Sequence, residues 1–216
     1  HNVKYVLNNG DGTTVGVFIK ADSNFEIAAD ATILAAVYPY DNDADYEDGS
    51  ITGLSTNSTY AYPQKVVGPM AAKANGSNLS FKNVGALVQI STSNVPDGYN
   101  NIELSSATSN LSGAYSLVFD NNGIPTATLT GNNKTITYSD NRGIGSETIY
   151  FPVFAGTYSD LKVTAKGTGK PDITLIAPKA LTAVRNTIHY TSRQVNSYST
   201  NTVELETNSG KELSIV

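Results

Sequence analysis

An all-β protein of two β-sandwich domains is what this sequence predicts, and three observations predict it. Short segments of alternating apolar and polar residues recur along the whole chain. Asn, Gly, Asp and Pro separate them, in the second half at intervals of about 8 to 12 residues, the spacing of sandwiches and barrels. Asn, Ser and Thr supply about three residues in ten, with Tyr at 13 and Met at one, a mix that favours strands and turns over helices.

Segments 3–7 and 15–20 flank Asn8-Asn9-Gly10-Asp11-Gly12, residues that tolerate positive φ, and are expected to pair as a hairpin. Segment 33–38 follows, then an acidic polar loop, then 59–62 and 65–67, which Pro63 and Pro69 confine to sheet edges. Leu79 and Phe81 alternate with polar neighbours, and 85–90 reads as a strand buried on both faces. After the turn residues Pro96-Asp97-Gly98, alternation restarts at Ile102 and Leu104, then at Tyr115, Leu117 and Phe119, and Asn121-Asn122-Gly123 closes that segment. Further strands are expected at 124–129, 135–138, 148–154, 161–165, 173–176 and 187–191. A final hairpin pairs 203–206 with 212–216 across Asn208-Ser209-Gly210.

The total of about thirteen strands exceeds the seven of one sandwich and suits two. The expected seam is the turn-rich stretch 92–98. It gives an N-terminal domain of residues 1–95 and a C-terminal domain of residues 96–216 that carries the terminal hairpin 202–216. A polar loop inside one larger sandwich would read the same.

Composition excludes several functions. Lys plus Arg is 14 against 19 acids, for a formal charge of -5, and only three residues are Arg, so a nucleic-acid surface is not expected. Zero Cys removes disulfides, thiolate metal sites and cysteine nucleophiles. The longest nearly apolar stretches, 31–38 and 149–156, fall far short of the roughly 20 residues of a membrane span, so no transmembrane segment is expected. No signal peptide is visible, which fits a cytoplasmic chain or a mature form whose targeting segment has been removed.

No catalytic residue, cofactor site or metal site is expected. Only His1 and His189 could shuttle protons, and His189 reads as a polar-face histidine on a strand whose other face carries Ile188 and Tyr190. The acidic run Asp41, Asp43, Asp45, Glu47 and Asp48 has the spacing of a calcium loop. Tyr46, however, stands where the turn glycine is needed and Thr52 where the bidentate glutamate is needed. A solvated acidic loop is the expectation, with a looser calcium site as the alternative. Lys166-Gly167-Thr168-Gly169-Lys170 reads as a hairpin turn, since Pro171 replaces the Ser or Thr of a phosphate loop. Tyr38, Tyr40, Tyr46, Tyr60 and Tyr62 could stack on sugar rings, making a surface carbohydrate-binding module the alternative function, or could pack within sheets. Asn-x-Ser/Thr triplets at Asn57, Asn75, Asn78, Asn110 and Asn133 are expected from composition alone.

Several segments, in order, resemble the fimbrillin family, the subunits and adhesin-like relatives of Bacteroidetes type V pili. They are Gly16-Val17-Phe18, Ala36-Val37-Tyr38-Pro39-Tyr40, Pro69-Met70-Ala71 and Leu79-Ser80-Phe81-Lys82-Asn83 in the first half. Leu111-Ser112-Gly113, Tyr150-Phe151-Pro152-Val153 with Gly156-Thr157-Tyr158, and Ala183-Val184-Arg185-Asn186 before Ile188 and Tyr190 complete the series. The resemblance spans about four-fifths of the chain. It implies two transthyretin-like, Greek-key sandwiches and a non-enzymatic pilus subunit or adhesin. It also implies export as a lipoprotein precursor to the outer membrane, and joining to other pilus subunits by strand exchange; the receptor is unknown. The absence of a lipobox Cys fits a chain that begins after it, and no basic processing site precedes the first strand.

In the terminal hairpin, Val203 and Leu205 share one face of the first strand and Leu213 and Ile215 one face of the second, with Glu204, Glu206, Glu212 and Ser214 opposite. A hairpin with one apolar face must pack against something. It either packs on its own domain or, as the resemblance suggests, leaves to fill a neighbour's groove, and these four residues are the candidate strand-donation set.

Overall fold

The computed structural model of the chain describes residues 2–9, 17–24, 26–28, 30–64, 66–76, 78–191, 194–195 and 205–212; residues 7, 9, 17, 191 and 205–212 are described through the backbone. Among them are twenty-one strands and no helix, so the protein is all-β. Among the described residues no helix is therefore long and apolar enough to cross a membrane.

β1 (Tyr5–Asn9) and β2 (Val17–Lys20) pair antiparallel, as the sequence predicts, with Val6 opposite Ile19. β3 (Ala35–Tyr38) is followed by β4 (Asp45–Glu47) and β5 (Ser50–Ser55), a hairpin the sequence reading missed. Asp48 and Gly49 make its two-residue turn with φ of 50° and 80°, the double positive φ that matches strand twist in a tight hairpin. β6 (Thr59–Ala61) comes next. Residues 66–69 then run outside any strand, where one was expected over 65–67. β7 (Met70–Asn75) returns beside β3 and also pairs with β8 (Asn78–Leu79) and β9 (Lys82–Asn83).

β10 (Ala86–Ser91) alternates fully buried and half-buried residues, covered on both faces as expected. β11 (Asn101–Ser105) precedes the hairpin of β12 (Ala114–Phe119) and β13 (Pro125–Leu129). Asp120 closes that hairpin by accepting the Asn122 and Ile124 N–H groups. Then follow β14 (Thr135–Ser139), β15 (Thr148–Val153), β16 (Gly156–Tyr158), β17 (Lys162–Lys166), β18 (Ile173–Ile176), β19 (Leu181–Ala183), β20 (Thr187–Thr191) and β21 (Leu205–Glu212).

The described strands form small sheets of two to five strands. One runs β15-β10-β20-β21, a second β18-β17-β11-β14-β6, a third β13-β12-β5-β4, and a fourth β3-β7-β8 with β9 on β7; β1-β2 and β16-β19 are two-stranded. Two apolar clusters lie among them. The larger takes Val88, Ile90 and Phe151 from the first sheet and Ile102, Leu104, Ile136, Val163 and Leu175 from the second. The smaller takes Ile51, Leu54, Tyr115 and Leu117 from the third sheet, with Ala71 of β7 and with Val84 and Phe154.

Pairing crosses the stretch 92–98. β10, before it, lies between β15 and β20; β5 pairs β12 and β6 pairs β14. The stretch itself is tied down: Thr92 and Val95 are buried, the Thr92 N–H donates to Glu147 O at 2.8 Å, and the Val95 N–H donates to Gly145 O at 3.1 Å.

Candidate functional site

The sequence points to the C-terminal strand, and the structure places it at the end of the β15-β10-β20-β21 sheet. β10 and β15 form a six-pair antiparallel ladder, and β20 joins β10 in parallel with Val88 opposite His189. β21 completes the sheet antiparallel to β20, with Leu205 opposite Thr191, Glu206 opposite Tyr190, Thr207 opposite His189, and Glu212 opposite Thr187. Between the last two pairs one residue of β20 faces four of β21, the Asn208-Ser209-Gly210-Lys211 run. The turn residues thus make a bulge in one strand, where a self-paired hairpin was expected. A strand already paired to β20 has its ladder bonds met without folding back on itself. Of the candidate donation residues, Leu205 opens β21; Val203, Leu213 and Ile215 lie outside the described residues.

Before β21, Val195 is buried in the larger cluster. It bridges to Thr92 and exchanges backbone bonds of 2.9 Å with Ser91 and Ser93. This fixes the chain to β10 ahead of the terminal strand.

His189 departs from the sequence reading. It is fully buried, because it stands opposite the core residue Val88 on the inner face of the sheet, while Ile188 and Tyr190 on the other face are half-buried. Its Nε2 lies 2.8 Å from Thr187 Oγ1, its Nδ1 has no hydrogen-bond partner, and burial pushes its pKa down.

The remaining sequence candidates fall into structural roles. The Asp41 carboxylate accepts from the Ser55 N–H (2.8 Å), the Ser55 hydroxyl (3.0 Å) and the Asp43 N–H (3.2 Å), tying the acidic run to β5. Among the described residues no three His, Asp or Glu side chains are grouped to hold a metal ion. Lys166 ends β17 with its Nζ 3.1 Å from Glu103, and Lys170 N–H closes the turn on Gly167 O, so 166–170 is the expected hairpin turn. Tyr60 is core, Tyr46 packs on the smaller cluster, and the Tyr40 hydroxyl lies 3.2 Å from Asn42 Oδ1; Tyr38 and Tyr62 are exposed.

Two polar clusters were not foreseen. Arg142 stacks over the Tyr62 ring at 3.4 Å while its Nη2 meets Asp140 at 2.6 Å and Glu147 at 3.0 Å. The Arg142 hydrogen bonds hold the Asp140 carboxyl below its ordinary range. Burial, and then the Asp140 charge, push Glu147 up. Asp160 accepts from the Ser106 hydroxyl (2.5 Å), the Ala107 N–H (2.6 Å), the Thr108 N–H (2.9 Å) and the Thr108 hydroxyl (3.1 Å), which fastens the loop after β11. Hydrogen bonding, led by Ser106, lowers its pKa. Asp160 meets the 106–108 loop only through strand pairing, whereas Asp140, Arg142 and Glu147 lie close in the chain and the pairing of β6 with β14 brings Tyr62 to them.

No protein-family model matches the sequence, and no curated protein matches it. Solved structures do. A candidate cell adhesion protein from Bacteroides uniformis ATCC 8492 aligns over 95% of this chain and 82% of its own, with TM-score 0.54 and 18% identity. A second candidate cell adhesion protein, from Bacteroides ovatus ATCC 8483, aligns over 99% of this chain and 87% of its own, with TM-score 0.52 and 11% identity. At these identities the likeness is one of fold.

Proposed function

We propose that the chain is a non-enzymatic, fimbrillin-like cell-surface adhesin or pilus subunit. On this reading it is exported as a lipoprotein precursor to the outer membrane and built into a fimbrium by β-strand donation. β21 is the donor, and the edge of β20 that it leaves is the acceptor for the β21 of a neighbouring copy. The two apolar clusters, each drawing on residues of more than one sheet, serve as two sandwich units.

The observation that carries this reading is the position of β21. It ends its sheet, its ladder is to β20, and that ladder is interrupted by a four-residue bulge. A strand held in this way is exchangeable at low cost, because the same backbone bonds form whichever copy supplies it. The fold shared with two proteins named for cell adhesion supports the surface role.

Removing residues 202–216 tests it. The truncated chain is expected to unfold cooperatively and to bind a synthetic 202–216 peptide with one-to-one stoichiometry. Loss of folding on truncation would make β21 an obligatory part of the monomer and contradict donation. So would a folded truncated chain that ignores the peptide.

A further inference from the structure

His189 is the one internal histidine, it lies on the strand that carries β21, and the proposed assembly does not use it. Its hydrogen bonds fix its tautomer. Thr187 has a single hydroxyl proton, and Oγ1 lies 2.5 Å from Val184 O, which can only accept, so that proton is committed there. The 2.8 Å contact to His189 must then run from Nε2–H to Thr187 Oγ1. In this tautomer the Val184 N–H, 3.4 Å from the same Nε2, faces a protonated nitrogen that cannot accept, so this long contact is not a hydrogen bond. Nδ1 is left as a bare lone pair, buried and without a donor.

We propose that His189 is an acid-operated latch on the β20–β21 ladder. A proton taken up at Nδ1 creates a buried cation with no acceptor, and the cheapest relief is to admit water along the edge of β20, which releases β21. Among the described side chains, the strands beside His189 bring no carboxylate to that cation, and β21 is placed through its backbone. β10 contributes Val88 opposite and carries no ionisable residue, and β19 carries none. The preceding turn brings Arg185, whose Nη1 donates to Asn83 O. On β21, Thr207 stands opposite, Glu206 opposite Tyr190, Glu212 opposite Thr187, and Lys211 lies in the bulge. Burial alone lowers the histidine's affinity for a proton, so the closed sheet favours the neutral ring.

The sign follows from linkage. With its pKa below the ordinary histidine value of 6.5 in the closed state, His189 is neutral and the ladder closed above that pH. As pH falls below it, the opening constant rises by up to tenfold per pH unit until the folded pKa is reached. Glu147, raised in the folded state, acts in the opposite sense and cannot mimic the effect.

The latch is a property of the isolated chain and does not depend on donation. Amide hydrogen exchange of the full chain between pH 7.5 and 5, corrected for intrinsic rates, tests it. Protection over residues 205–212 should fall up to tenfold per pH unit below about 6.5 while β11 stays protected. His189→Gln and His189→Leu should abolish that dependence. In the wild-type chain, imidazole ¹⁵N shifts should show the Nε2–H tautomer at neutral pH, with protonation tracking the loss of β21 protection. Constant protection of β21, equal loss in β21 and β11, or the same pH dependence in both variants would overturn the latch. Where neither variant folds, a ring that titrates without change in β21 does so.

Discussion

At the scale of single residues, the polar side chains that organise the structure are those the sequence cannot single out. Asp160 is one Asp among many until β17 pairs with β11 and brings it to the Ser106–Thr108 loop. Replacing it with Ala removes four hydrogen bonds to an ionised acceptor and is expected to cost about 2 kcal/mol, a fall in Tm of roughly 4 to 8 °C for a chain of this size. Because the folded state depresses its pKa, this stabilisation is complete above the ordinary aspartate value of 3.8. It disappears as pH falls through the lower folded value, so Tm measured against pH should lose part of its acid limb in Asp160→Ala. An unchanged acid limb would contradict the assignment. His189 shows the converse. Period two correctly separated it from Ile188 and Tyr190, but which face is buried depends on the face of β10 it is aligned with, and the sequence does not specify that register.

At the scale of elements, alternation found the long strands and missed those built on other chemistry. β11, β12 and β14 were legible because Ile, Leu and Tyr alternate there with polar residues, and β10 because it is a nearly continuous apolar run. β7, Met70–Asn75, is rich in Ala, which has weak strand propensity, and it forms because β3 and β9 supply partners on both edges. The β4–β5 hairpin was hidden in the acidic run, although Asp48-Gly49 is the turn pair that should have revealed it. β5 also needs Gly53. Its φ is +70°, and a Cβ there would stand 1.9 Å from Asp43 O, whereas a Cβ on Gly49 would meet open space. Gly53→Ala should therefore destabilise by more than about 2 kcal/mol, and Gly49→Ala by only about 1 kcal/mol. Thermal melts of the two variants check this, and equal effects would contradict it. The terminal hairpin was misread for a related reason. Asn208-Ser209-Gly210 is compatible with a turn or a bulge, and the presence of β20 as partner selects the bulge.

At the scale of the whole molecule, the all-β class was legible from composition and spacing, but the distribution of strands among sheets was not. The β12–β13 hairpin lies between β11 and β14 in the chain, yet it joins β5 and the smaller cluster. β6, from the first half, closes the edge of the five-stranded sheet. Long-range pairings of this kind leave no local trace in a single sequence. The central claim, that β21 can be supplied by another copy, concerns one such pairing, and the lack of cysteine makes it directly testable. Tyr190 and Glu206 are opposite in an antiparallel ladder, where Cα separations of about 4.5 to 5.5 Å lie within disulfide range. The measurement mixes a chain carrying only Tyr190→Cys with one carrying only Glu206→Cys under mild oxidation, so that every bond between the two positions joins two molecules. The account predicts a covalent heterodimer carrying that bond, suppressed by excess 202–216 peptide. No heterodimer, while the doubly substituted chain closes its own disulfide, would contradict it and fix β21 as a strand of its own subunit alone.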